Sequence, residues 1–118
     1  MTEKTPPTVR RFGQLAFHPR FEYGEMAEVA ETCGTADGTE LGCGWGRFSN
    51  ARIPWTVKHD EMLTVFEGEL TLHADGTSHK LGLRDSIWIP AGTELEYEAQ
   101  NALVHYAIHP ANWNENND

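Results

Sequence analysis

Long apolar runs are missing from this chain. Nowhere do 18 apolar residues follow one another, so no transmembrane helix is expected. Basic residues are scarce too: nine Lys and Arg stand against eighteen Asp and Glu, for a formal net charge of −9. A nucleic-acid surface needs clustered cations to displace phosphate counterions, and the only basic doublet is Arg10-Arg11. Nucleic acid is therefore not expected as a partner. Cysteine is limited to Cys33 and Cys43, ten positions apart and outside any CxxC spacing, which reads as a pair of reduced thiols rather than a disulfide or metal pair. The opening stretch MTEKTPPTVRR lacks the apolar segment of a secretory signal, so a cytoplasmic location is expected.

Sustained helical periodicity is also lacking. The one ambiguous stretch is FEYGEMAEVAET, which suits a helical turn but alternates well enough for a strand. What the chain does have is a series of short strand-like segments: TELGCGWGRF, EMLTVFEGELTLHA, SHKLGL, DSIWIP, ELEYEA and LVHYAIH. Turn signals separate them. An Ala-Asp-Gly step occurs at Ala36–Gly38 and again at Ala74–Gly76, and Asp-Gly suits a two-residue hairpin turn. A chain of 118 residues with strands at such short intervals predicts one all-β domain, a barrel or a sandwich. Residues 1–11, polar and carrying Pro6-Pro7, are expected to form a flexible N-terminal arm, with the domain itself over residues 12–118.

Strand parity sorts the side chains into faces. Leu95 and Tyr97 face inward while Glu94, Glu96 and Glu98 face out, so this strand is half-buried under an acidic surface. Ile87 and Ile89 oppose Trp88, which predicts a strand covered on both faces. Gly42, Gly44 and Gly46 share one face and clear space there, either for a ligand or for close packing against a bulky neighbour such as Trp55. No helix follows them, so they are not a phosphate-binding loop.

Glu61 followed after six residues by Gly68, within VFEGEL, resembles the back half of the first cupin motif. Asp85–Gly92, DSIWIPAG, is similar to the second. The resemblance covers roughly residues 40–110 and implies a double-stranded β-helix, a small jelly-roll barrel with a pocket at one mouth. The usual cupin metal set is an HxH pair, a Glu and a later His. Here the HxH positions hold Trp55 and Val57, or Pro54 and Thr56 under the alternative spacing, and the last His position is Leu95. Only Glu61 remains, so the standard three-His, one-Glu metal site is absent and no cofactor is assigned. Among cupins without those histidines, the chain is most similar to the cupin domain of the ethanolamine-utilisation EutQ family. The similarity lies in PWTxxxDE (Pro54–Glu61), Glu67-Gly68, IPAG and the closing HPANW. It implies a bacterial protein, a homodimer, a pocket and an association with microcompartments. An acetate kinase activity is attributed to that family. The chain offers no P-loop and few cations for ATP phosphates.

Residues 55, 57, 59 and 61 share parity, so an extended chain would point Trp55, Val57, His59 and Glu61 into the barrel together. A Glu desolvated among aromatics gains a raised pKa, and a neighbouring His can exchange a proton with it. His59 and Glu61 are the candidate acid–base pair, with Trp55, Tyr97 and His105 as candidate ligand contacts. Val104, Tyr106 and Ile108 form the more apolar face of LVHYAIH, which turns His105 outward; a bulge would be needed to complete a His59–Glu61–His105 metal set. Asp60 points out, as a cap or a partner for Lys58 or Arg52. His73 and His79 flank the second Asp-Gly turn as exposed residues, and His18 is a loop residue. Three functions stay open. One is a metal-independent enzyme acting on a small polar amine or carboxylate, the acidic lip favouring a cation. The others are a metal cupin with a rearranged ligand set and a non-catalytic binding or scaffolding cupin.

Overall fold

The computed structural model describes residues 3–114. Eight strands run His18–Pro19 (β1), Ala27–Cys33 (β2), Gly42–Thr56 (β3), Asp60–Gly68 (β4), Leu70–Ala74 (β5), Thr77–Leu81 (β6), Ser86–Ile89 (β7) and Glu94–His109 (β8). Three short 3-10 turns, Phe12–Gln14, Phe21–Tyr23 and Thr35–Asp37, are the only helical elements among the described residues. FEYGEMAEVAET therefore divides into a turn and a strand.

The two longest strands, β3 and β8, are the hinge of the architecture. They pair along their whole length, from Gly42 opposite Ile108 to Thr56 opposite Glu94, with one interruption between Ser49–Asn101 and Ala51–Ala99. Asn50, at φ 45°, kinks β3 there. On one side of the kink the order is β1-β2-β3-β8-β4-β7, and on the other β5 joins β8 and carries β6. One pair of strands thus carries both arms of a single eight-stranded sheet, which folds over a shared core as an all-β barrel. Ile53, Val57, Val65, Leu70, Leu72 and Tyr97 fill that core with almost no exposure, and Phe48 packs on Tyr97 at 5.4 Å between ring centres.

The two Asp-Gly steps behave differently. Asp75 and Gly76, at φ 52° and 73°, form the two-residue turn between Ala74 and Thr77, with both residues left-handed as a type I′ turn needs. The first step does not make a hairpin turn. Asp37 ends the 3-10 turn Thr35–Asp37 and Gly38 closes it at φ 77°, inside a longer connection from β2 to β3. Asp37 is captured instead by the N-terminal arm: the Thr5 hydroxyl donates to its Oδ1 at 2.9 Å, and Arg10 pairs with the same oxygen at 3.0 Å. The Thr5 hydrogen bond first, then the Gly34 amide, hold its carboxyl below the usual range.

Gly42, Gly44 and Gly46 make room for side chains of β8. A Cβ on Gly44 would collide with the Tyr106 ring and the Ala30 carbonyl, and one on Gly42 would press on Ile108. Close packing wins, against Tyr106 and Ile108 rather than Trp55. The strand DSIWIP is covered on one face only: Ile89 is buried, whereas Trp88 is 56% exposed beside its cross-strand partner Met62, at 42%. No helix among the described residues is long and apolar enough to cross a membrane.

Candidate functional site

Parity survives the break in the chain after β3. Residues 57–59 leave the strand, yet the Val57 amide bonds the Thr93 carbonyl and its own carbonyl accepts from Gly92, which keeps the segment extended. Val57, His59 and Glu61 accordingly all point inward and are buried. Glu61 then enters β4 between Ile89 of β7 and Ile108 of β8.

At one mouth of the barrel lies a cavity of about 320 Å³, lined among others by Arg20, Glu31, His59, Glu61, Tyr106 and Trp113. Glu61 is 6% exposed, and its carboxyl is pushed up to about 7 by that loss of water, against the opposing pull of the Arg20 charge. His59 is held below the usual imidazole range, mainly by burial and further by the nearby Arg20. Its Nδ1 lies 3.9 Å from Glu61 Oε1, too long for a hydrogen bond, and has no other partner among the described residues. Near neutral pH the pair therefore consists of a neutral imidazole and a carboxyl close to half-ionised.

Arg20 is the cation of this site, and sequence reasoning passed over it. Its guanidinium sits 4.9 Å over the Trp55 ring and 5.7 Å from the Tyr97 ring, with no ion pair within 4 Å among the described residues. The next residue, Phe21, is held at φ 49°, an unusual conformation for a bulky side chain. It lays Phe21 flat on Trp55, at 5.6 Å and 13° between planes, while Trp113 meets both edge-on. Trp113 also packs against the His59 ring at 5.3 Å. The three rings thus form a collar of which Phe21 and Trp113 line the cavity, while Trp55 and Tyr97, expected as ligand contacts, carry Arg20 without lining the cavity.

Of the remaining residues singled out from the sequence, Tyr97 is buried beneath Arg20. Burial raises the pKa of its hydroxyl, and the charge of Glu61 adds to that rise while Arg20, above it, opposes it. His105 is placed elsewhere. It pairs with Thr64 on the outer face, packed on Trp45 at 5.0 Å and near Phe66, so it neither lines the cavity nor meets His59 and Glu61. Asp60 caps rather than salt-bridges: its Oδ1 accepts from the Ala91 amide at 3.0 Å, while Arg52 pairs with Glu96 and Glu98. Tyr106, set aside in the sequence as part of an apolar face, lines the cavity, and burial pushes its hydroxyl up to about 12.

The residue set does not fit a metal. Trp55, Val57 and Leu95 occupy three positions where cupins place histidines, two of them buried in the core. Among the described residues no group of three or more His, Cys, Asp or Glu side chains is placed to hold an ion.

A profile of the ethanolamine utilisation protein EutQ matches residues 11–115. The chain belongs to the EutQ family. The acetate kinase EutQ of Escherichia coli strain K12 is 33% identical over 78 residues, which cover 65% of this chain and 34% of that protein. The match thus spans about a third of the length of this relative. The crystal structure of EutQ from Salmonella typhimurium has a TM-score of 0.82 at 25% identity, over 88% of this chain and 86% of that one. An RmlC-like cupin from Shewanella frigidimarina has a TM-score of 0.72 at 17% identity, over 90% and 93%. The fold of this chain is therefore that of a single-domain cupin.

Proposed function

We propose that this EutQ-family cupin binds a small polar metabolite at the barrel mouth and exchanges a proton with it, without a metal. The observation that carries this reading is Glu61, a buried carboxyl poised near neutrality beside the unpartnered Nδ1 of His59 in a cavity of metabolite size. Glu61 is the acid–base group, and His59 its neighbour for a second proton. Arg20 shifts the charge preference read from the sequence, because a fixed cation at an otherwise acidic mouth favours a ligand carrying an anionic group. Trp55 holds Arg20 in place and Tyr97 lies beneath it.

The acetate kinase name belongs to longer relatives, and the match to the Escherichia coli one covers 34% of it. Carrying phosphoryl transfer to this chain is a separate proposal, tested by release of ADP from ATP in the presence of acetate. For the binding reading, wild type, Glu61→Gln and His59→Ala are compared across a panel of small carboxylates, amines and hydroxy acids. Thermal shift reads binding, and NMR of the ligand reads proton exchange with solvent deuterium. The expected result is binding retained but exchange lost in Glu61→Gln. Binding with no exchange in wild type leaves a non-catalytic binding or scaffolding cupin, and no shift with any compound overturns the pocket reading.

We also infer a homodimer in the bacterial cytoplasm, with the microcompartment association that the resemblance to EutQ implies. The exposed outer-face side chains Met62, Phe66 and Trp88 support a second copy as cover. A monomer by light scattering at micromolar concentration would contradict it.

A further inference from the structure

The two cysteines, read from their spacing as separate reduced thiols, meet across β2 and β3. Odd-numbered residues of β2 face inward: Ala27 opposes Phe48, Val29 opposes Gly46 and Glu31 opposes Gly44. By that count Cys33 would also face inward. A register shift between Glu31 and Cys33 inserts one residue, so Cys33 pairs directly with Cys43 instead. Cys43 shares parity with Trp45 and Arg47 on the outer face, so the bulge moves Cys33 to that face as well. Both thiols are free and half-buried. Burial raises the Cys43 pKa, and the proximity of Cys33 raises it further. Directly opposed positions of an antiparallel pair stand about 4.5–5.5 Å apart at Cα, inside the range a disulfide spans.

We propose that Cys33 and Cys43 form a reversible cross-strand disulfide, a redox modification site that pins the lip of the cavity. The oxidant is a hydroperoxide. The Cys33 thiolate attacks the peroxide, a sulfur–oxygen bond forms as the oxygen–oxygen bond breaks, and hydroxide leaves. Cys43, kept protonated by burial, then gives up its proton and displaces water from the Cys33 sulfenic acid to close the disulfide. Two thiols and hydrogen peroxide yield one disulfide and two waters, and a small thiol reverses the change by exchange.

The site bears on the cavity because of what lies between the two cysteines. The connection from Gly34 to Leu41 carries Thr35 at the cavity mouth, and Glu31 stands just before the bulge on the same rim. Asp37 of this connection holds the N-terminal arm, and the Glu40 carbonyl accepts from the Ala111 amide beside Trp113. A covalent tie at the foot of this loop fixes a segment of the rim that no strand pairing holds.

The test treats the reduced protein with a small excess of hydrogen peroxide, followed by alkylation and mass spectrometry. Oxidised protein should be two hydrogens lighter, have no alkylatable thiol and give a Cys33–Cys43 cross-linked peptide; dithiothreitol should restore both thiols. Closing a loop of this length should raise the melting temperature by about 10 °C. Amides of residues 34–41 should exchange several-fold more slowly in the oxidised form. Cys33→Ser and Cys43→Ser, checked for native circular dichroism, should each abolish the shift. Two persistent thiols, over-oxidation of one cysteine without a bridge, or a bridge between chains would overturn the proposal. Unchanged loop exchange in the bridged protein would remove the link to the cavity.

Discussion

Glu61→Gln is the substitution on which the reading of the site depends most directly. The Glu61 carboxyl moves from its ordinary value of 4.5 in the unfolded chain to about 7 in the fold, chiefly because burial penalises its charge. At 1.36 kcal/mol for each pH unit, that gap corresponds to about 3 kcal/mol of differential stability. A raised carboxyl means the folded state holds its proton more tightly than the unfolded state. Its contribution is therefore fully present below pH 4.5, declines as the pH climbs, and is gone above about 7. Glutamine stays neutral throughout and should show no such decline. Wild type and Glu61→Gln should thus have similar stability at pH 4.5, with the variant more stable by about 3 kcal/mol at pH 8. In urea unfolding followed by tryptophan fluorescence, with a slope of about 1.5 kcal/mol/M, the midpoints should separate by about 2 M at pH 8 and converge in acid. Midpoints that keep a constant separation from pH 5 to 8 would show that Glu61 ionises freely, and the acid–base reading would fall with it.

Three further outcomes follow from the same geometry. Arg20→Ala removes the charge that opposes protonation of Glu61, so the decline in stability should extend to a pH above 7, read by the same urea series. Tyr97→Phe deletes a buried hydroxyl beside the Arg20 guanidinium, so thermal unfolding should show a loss of about 1 kcal/mol. Replacing Asp60 by Ala costs the cap on the Ala91 amide, about 1 kcal/mol by chemical denaturation. That loss should leave the pH dependence of Glu61 unchanged.

Much of the barrel was legible because strands announce themselves by parity. The inward set Trp55, Val57, His59 and Glu61 needed only that the segment stay extended, and backbone bonds to Gly92 and Thr93 keep it so. Parity also turned His105 outward, where Thr64 and Trp45 meet it. Arg20 was hidden because nothing local marks it. Its place over Trp55 is set by a contact 35 residues away, and the strained φ of Phe21 that completes the collar has no residue signature. The same blindness applies to bulges: an extra residue before Cys33 reverses a face without any change in composition. Trp88 misled for another reason, since an apolar side chain states what it would cover but not that anything covers it.

The two ends of the described chain converge on one loop. Thr5 and Arg10 grip it at Asp37, and the segment that carries Trp113 grips it through Ala111 at Glu40. The cavity mouth is thus a closure in the literal sense, a seam where beginning and end are fastened together. Residues 5–10 and 111–113, far apart in sequence, share one fastening beside Thr35 of the cavity lining.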